Sequence, residues 1–207
     1  MTKEEIFAEA EISYNNCKLI IDGLNNIIKA FIKDFNADNQ YIQFDLLLQA
    51  LLFSEAIADG NFCEEEKEFI QKLAQNTDLF QYVTSDVLKD LSWDKVFAMS
   101  ADEQSKLADE LNEVLNVFAD DFVLPFAILD AATTQNSLMD LSSCLCDISN
   151  LLGSVDGELS QEELYAFQKY SDELILGKWA DIKGLTEVLI EEGSDEDTPS
   201  EENGDEE

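Results

Sequence analysis

Ala10, Tyr14, Cys17, Ile21, Leu24, Ile28, Phe31 and Phe35 step along the chain by four and three residues in strict alternation. That spacing puts one apolar stripe along one face of a helix. It predicts a single helix over about Lys3 to Phe35, roughly 50 Å long, with Gly23 as the place to bend. Ile20 and Ile27 widen the stripe beyond a coiled-coil seam, so the helix is expected to dock on a helical bundle.

The rest of the chain repeats this character. An apolar helix is predicted over about Tyr41 to Ala58, closed by Asp59-Gly60, with Gly60 supplying a left-handed cap. The next helix starts at Cys63-Glu64-Glu65-Glu66 and turns Phe69, Ile70 and Leu73 inward. Two short helices are expected around Val87-Leu88-Leu91 and Trp93-Val96-Phe97. Ser100-Ala101-Asp102-Glu103 reads as a capping box, and it opens a helix carrying Leu107, Leu111, Val114, Leu115 and Phe118. Pro125 fits the first turn of a further helix or a kink within one. Helices over Leu138 to Val155, Gln161 to about Leu174 and Lys178 to Ile190 follow, the last broken near Gly184. Strand alternation is absent, so the expected fold is all-α: one helical-bundle domain over residues 1–190.

Composition narrows what such a bundle can do. The 207 residues hold 46 Asp or Glu against 12 cations, no histidine and a formal charge of −34. Every cation is a lysine. Without histidine there is no Ser-His-Asp or Cys-His nucleophile and no His-ligated zinc, copper or haem. Without arginine there is no bidentate clamp for phosphate, and a polyanionic surface repels nucleic acid. The expected macromolecular partner is a basic protein.

Residues 191–207 hold ten Asp or Glu, the breakers Gly193, Pro199 and Gly204, and nothing apolar to bury. They read as a disordered, solvating acidic tail. Met1-Thr2-Lys3-Glu4-Glu5 lacks the features of a signal peptide, and no segment has the length and apolarity to enter a bilayer. Cys17, Cys63, Cys144 and Cys146 do not form a disulfide framework. A cytoplasmic, reducing location with free thiols is expected, and Cys144 reads as a packing residue on a helix.

An offset of 97 residues lays Gly157 on Gly60 and aligns two helix-turn-helix units. Ala58-Asp59-Gly60-Asn61-Phe62-Cys63-Glu64-Glu65-Glu66 lies over Val155-Asp156-Gly157-Glu158-Leu159-Ser160-Gln161-Glu162-Glu163. Upstream, Phe44, Leu47, Leu48 and Leu51 fall on Leu141, Cys144, Leu145 and Ile148, and downstream Ile70 falls on Phe167. Matching stripes on both sides of the turn indicate a duplication.

Both units read Asp-Gly, five residues, then Glu. In this the chain resembles the TerB-like tellurite-resistance family, which includes the amino-terminal domain of a DnaJ-like membrane co-chaperone. The resemblance is strongest over residues 41–174. It implies an all-helical domain in which the acidic Asp-Gly turn and the glutamate on the next helix form a candidate divalent-metal site. It also implies a role in stress or tellurite-resistance-type responses.

The residues themselves leave two readings of the motif. Ser160 with Glu163 is a capping box and Cys63 with Glu66 its weaker analogue, so each glutamate has a local task without metal. Asp59 and Asp156 face the negative end of a helix. Their carboxylates are compensated either by the amides of the next helix or by a cation. The candidate metal ligands are Asp59 with Glu66 and Asp156 with Glu163, aided by Glu65 and Glu162. Oxygen ligands alone select Ca2+ or Mg2+ over zinc or copper. An EF-hand is excluded, because Glu55 and Ile57, or Leu152 and Ser154, would stand at its first and third ligand positions. The expectation is a non-enzymatic acidic binding module. The alternatives are a metal-dependent hydrolase using carboxylate-held Mg2+, and an acidic mimic that captures a basic protein.

Overall fold

The computed structural model describes residues 1–31, 36–75, 77–82, 91–133, 135–157 and 160–195. Among these there is no β-strand. Helix α1 spans Lys3–Phe31 without a break at Gly23. One glycine in the middle of a long stripe costs helix propensity but removes no backbone donor. Ala10, Tyr14, Cys17, Ile21, Leu24 and Ile28 are buried along α1, as the spacing predicts, and Ile6 extends the buried stripe; Phe35 lies outside the described residues.

Helix α2, Ala37–Ala56, begins four residues before Tyr41 because Asn36 caps it, accepting a hydrogen bond from Asp38 N at 3.1 Å. It is buried almost all round, from Phe44 and Leu46 through Leu51, Leu52 and Phe53 to Ala56. A helix apolar on every side belongs in the middle of a bundle, and α2 packs against most of the other long helices. The polar residues on it are tied to neighbours. Asp45 accepts from Tyr14 Oη at 2.7 Å and Thr77 Oγ1 at 3.0 Å. Gln49 Oε1 accepts from Leu79 N at 3.0 Å while Nε2 donates to Ala74 O at 3.2 Å.

Helix α3, Glu64–Leu73, is followed by short α4, Leu79–Tyr82, and α5, Trp93–Phe97. Val87 and Leu88 lie outside the described residues, and Leu91 precedes α5 in a non-helical stretch. Phe53, Phe62, Trp93 and Phe97 meet edge to face beside α3, with centroids 5.6–5.9 Å apart.

Helix α6 runs unbroken over Ala101–Thr133 with Pro125 inside it, so no new helix starts at the proline. Proline removes one helical hydrogen bond, the one to the carbonyl four residues back. Here Gln40 Nε2 donates to that carbonyl, Asp121 O, at 3.3 Å.

Helix α7, Ser137–Leu152, packs against α1, and α8, Gln161–Ser171, packs against α2. A π-helical turn over Asp172–Leu176 leads directly into α9, Gly177–Asp195, which lies against α6. Gly184 does not break α9, and the helix continues through Gly193 to Asp195. The first five residues of the expected tail are therefore helical, while 196–207 lie outside the described residues. Buried side chains from α1 to the π-helical turn form one contiguous core. Among the described residues no helix is long and apolar enough to cross a membrane.

Candidate functional site

Each Asp-Gly turn hands the chain from one buried helix to the next. After α2, Gly60 adopts φ +81°, the left-handed backbone that glycine accepts at least cost. Asp59 is exposed, and its Oδ1 accepts from Asn61 N at 2.7 Å, holding its own turn. Cys63 then caps α3. Its Sγ accepts from Glu66 N at 3.5 Å, and Cys63 N donates to Glu66 Oε2 at 2.7 Å. In the second unit Ser160 Oγ accepts from Glu163 N at 3.1 Å and Ser160 N donates to Glu163 Oε2 at 2.5 Å. Both capping boxes are therefore formed, with one glutamate oxygen used in each. Glu158 and Leu159 lie outside the described residues.

The capping task does not explain where these glutamates lie. Both are buried. Glu66 feels the charges of Asp156 and Glu163, both from the other unit. Glu55, on the last turn of α2, is fully buried and feels the charges of Glu66 and Glu163. Its Oε1 accepts from Ser149 Oγ of α7 at 2.9 Å. Its Oε2 is buried with no hydrogen-bond partner. Three buried glutamates from α2, α3 and α8 thus act on one another through their charges, and Asp156 of the second turn, exposed, acts on Glu66 with them. One oxygen of Glu66, one of Asp156 and Cys63 Sγ all lie within 4.8 Å of one another.

Of the six residues singled out in the sequence, Glu66 and Asp156 come together, and the buried Glu163 acts on Glu66 through its charge. Glu65 is half-buried and pairs instead with Lys3 at 2.6 Å, and Glu162 is exposed in the first turn of α8. Glu55, Cys63 and Ser149 were not among them. Glu55 did leave a signal, as a lone acid following Leu51 and Leu52 on a helix that is otherwise apolar on that face.

The electrostatics follow from burial. Desolvation, reinforced by the charges of Asp156 and Glu163, pushes the Glu66 carboxyl up to about 8 against the backbone hydrogen bond from Cys63. Burial likewise raises Glu55 well above the ordinary carboxyl range, opposed by Ser149 and reinforced by Glu163 and Glu66. Burial pushes the Cys63 thiol up to about 12. A pocket of this kind is satisfied either by protons on its carboxyls or by a cation between them.

The remaining thiols lie elsewhere. Cys17 is buried in α1 and adjoins the half-buried Cys144 of α7. Cys146 is exposed. No family model, no curated protein and no solved structure matches the chain.

Proposed function

We propose that this protein is a non-enzymatic, all-helical module of TerB-like kind that binds a divalent cation between its two Asp-Gly turns. In this reading the ligands come from Glu55, Glu66, Asp156 and Glu163. Asp59, Glu65 and Glu162 do not ligate the ion: Asp59 holds its own turn, Glu65 pairs with Lys3, and Glu162 is exposed. The observation that carries the reading is the partnerless buried oxygen of Glu55, on a carboxyl that feels the charges of two buried glutamates from different turns. A buried carboxylate oxygen without a donor is costly, and a cation among these carboxylates supplies the partner that Glu55 Oε2 lacks. The exposed Asp156 gives the ion an entry path.

The cation couples the halves of the duplicated unit, since its ligands come from α2, α3, α8 and the turn after α7. A binding-linked tightening of that junction suits a module that reports on cations in a stress or tellurite-resistance-type response. The chain's acidic surface directs it to a basic protein partner. Calorimetry of the full chain with Ca2+, Mg2+ and Mn2+ in 0.15 M salt tests the site. Binding is expected with a dissociation constant on the order of 10⁻⁵ M. Glu55→Gln, which keeps an acceptor for Ser149, should weaken it at least tenfold. Equal binding by the variant, or no binding by the parent protein of these ions or of Zn2+ and Co2+, overturns the reading.

A further inference from the structure

The two capping boxes differ in one atom. Where the second unit has the hydroxyl of Ser160, the first has the thiol of Cys63. The serine would cap as well or better, since hydroxyl caps are the preferred kind. The thiol does something else by its position. Cys63 Sγ, a Glu66 oxygen and an Asp156 oxygen form a triangle with no side over 4.8 Å. Ligands about 2.0–2.3 Å from one tetrahedral ion stand roughly 3.5 Å apart, so small side-chain rotations close this triangle on a metal.

We propose that Cys63 gives the cation site a sulfur ligand, so that the site selects a borderline transition ion such as Zn2+ or Co2+ over Mg2+ and Ca2+. This rests on the cation-binding reading above and specifies its ligand. Oxygen donors alone favour the hard cations, whereas a thiolate beside two or three carboxylates shifts preference to ions that bond both. In this triangle Cys63 is half-buried, Asp156 exposed and Glu66 buried, and the partnerless Glu55 oxygen belongs to a buried carboxyl that feels the Glu66 charge. The ion thus enters past sulfur and settles on oxygen. On binding, the Cys63 S–H bond breaks, its proton leaves to solvent, and the sulfur lone pair forms the metal bond.

The test is a titration of the reduced full-length protein with Co2+ under argon, followed by competition with Zn2+ and Mg2+. The expected result is a sulfur-to-cobalt charge-transfer band in the near ultraviolet that saturates, is bleached by Zn2+, and resists a hundredfold excess of Mg2+. Cys63→Ser keeps the cap, as Ser160 does in the other unit. It should abolish the band and weaken Zn2+ binding at least tenfold while changing Mn2+ affinity less than twofold. Cys146→Ser should leave the band in place, which assigns it to Cys63 and not to the exposed thiol of α7. Saturable Mg2+ or Mn2+ binding with no sulfur band overturns the thiolate assignment and leaves the carboxylate site standing. A band that survives Cys63→Ser overturns it equally. Absence of binding by every cation overturns both readings.

Discussion

Gln40 of α2 donates its side-chain amide to the carbonyl oxygen of Asp121 in α6 at 3.3 Å, and that is the carbonyl that Pro125 leaves without a helical donor. Proline inside a helix ordinarily costs about 3 kcal/mol, in part through this lost bond. Gln40 is itself buried, so the replacement bond forms away from competing water. Gln40→Met should lower stability by about 1–3 kcal/mol, because it leaves the Asp121 carbonyl unsatisfied. In a Pro125→Ala background the helix regains its own donor, and the cost of Gln40→Met should shrink. Urea denaturation of the four proteins of this double-mutant cycle measures the coupling. A coupling of zero would separate the two residues.

The glycines at the carboxyl end of the bundle predict opposite responses. A Cβ on Gly177 would stand 2.9 Å from Asp172 O, the carbonyl that closes the π-helical turn, whereas a Cβ on Gly184 meets nothing within 4 Å. Gly177→Ala should therefore destabilise by about 1–3 kcal/mol through overpacking. Gly184→Ala should stabilise by about 0.5–1 kcal/mol through helix propensity. For a chain of this size those values correspond to melting-temperature shifts of roughly 2–4 °C per kcal/mol. Thermal denaturation of the two variants checks both signs.

The all-α fold and the buried stripe of α1 could be read from the sequence because apolar periodicity is a property of each helix alone. The unbroken course of α6 through Pro125 could not, since the carbonyl the proline leaves free, that of Asp121, is met by Gln40, 81 residues from it in the chain. The site divides in the same way. Glu66 and Glu163 were visible as a repeated motif, and the same repeat suggested that Asp59 and Asp156 would behave alike. They do not, because Asp59 closes its own turn on Asn61 N while Asp156 reaches Glu66 of the other unit. Glu55 is harder still. The offset that lays it on Leu152 also lays Leu52 on Ser149, so the polar pair Glu55–Ser149 occupies two places that the other unit fills with leucines. A repeat read for likeness passes over the pair, because its members are where the units differ.

The four thiols should separate by reactivity in the native protein. Cys146 is exposed, Cys63 and Cys144 are half-buried, and Cys17 is buried. Burial raises the Cys17 thiol, and the adjoining Cys144 raises it further, so it is both shielded and protonated. Alkylation with iodoacetamide followed by peptide mass analysis should label Cys146 first and Cys17 only at the rate of unfolding. Early labelling of Cys17 would mean that α1 separates from α7 on a faster timescale than the rest of the core opens.

Stability should depend on pH in a window where carboxyls in their normal range contribute no slope. Between pH 6 and 8 carboxyls in their normal range are already ionised, and the chain contains no histidine. Glu66, pushed up to about 8 mainly by burial, holds its proton in the folded state through most of this window but has lost it in the unfolded chain. The folded state therefore binds more protons than the unfolded state, and stability falls as pH rises. The stabilisation is complete below the unfolded value near 4.3 and is lost as pH rises through about 8, by at most about 1.4 kcal/mol per pH unit for one proton. Glu55, raised in the same direction by burial, steepens the slope. Urea denaturation in the presence of a chelator at pH 6, 7 and 8 should show this decline, and Glu66→Gln should reduce it by removing one titrating group. Adding the bound cation should flatten or reverse the slope, because metal competes with protons for the same carboxylates. A metal-free protein equally stable at pH 6 and 8 would show that the glutamates are already ionised in the folded state.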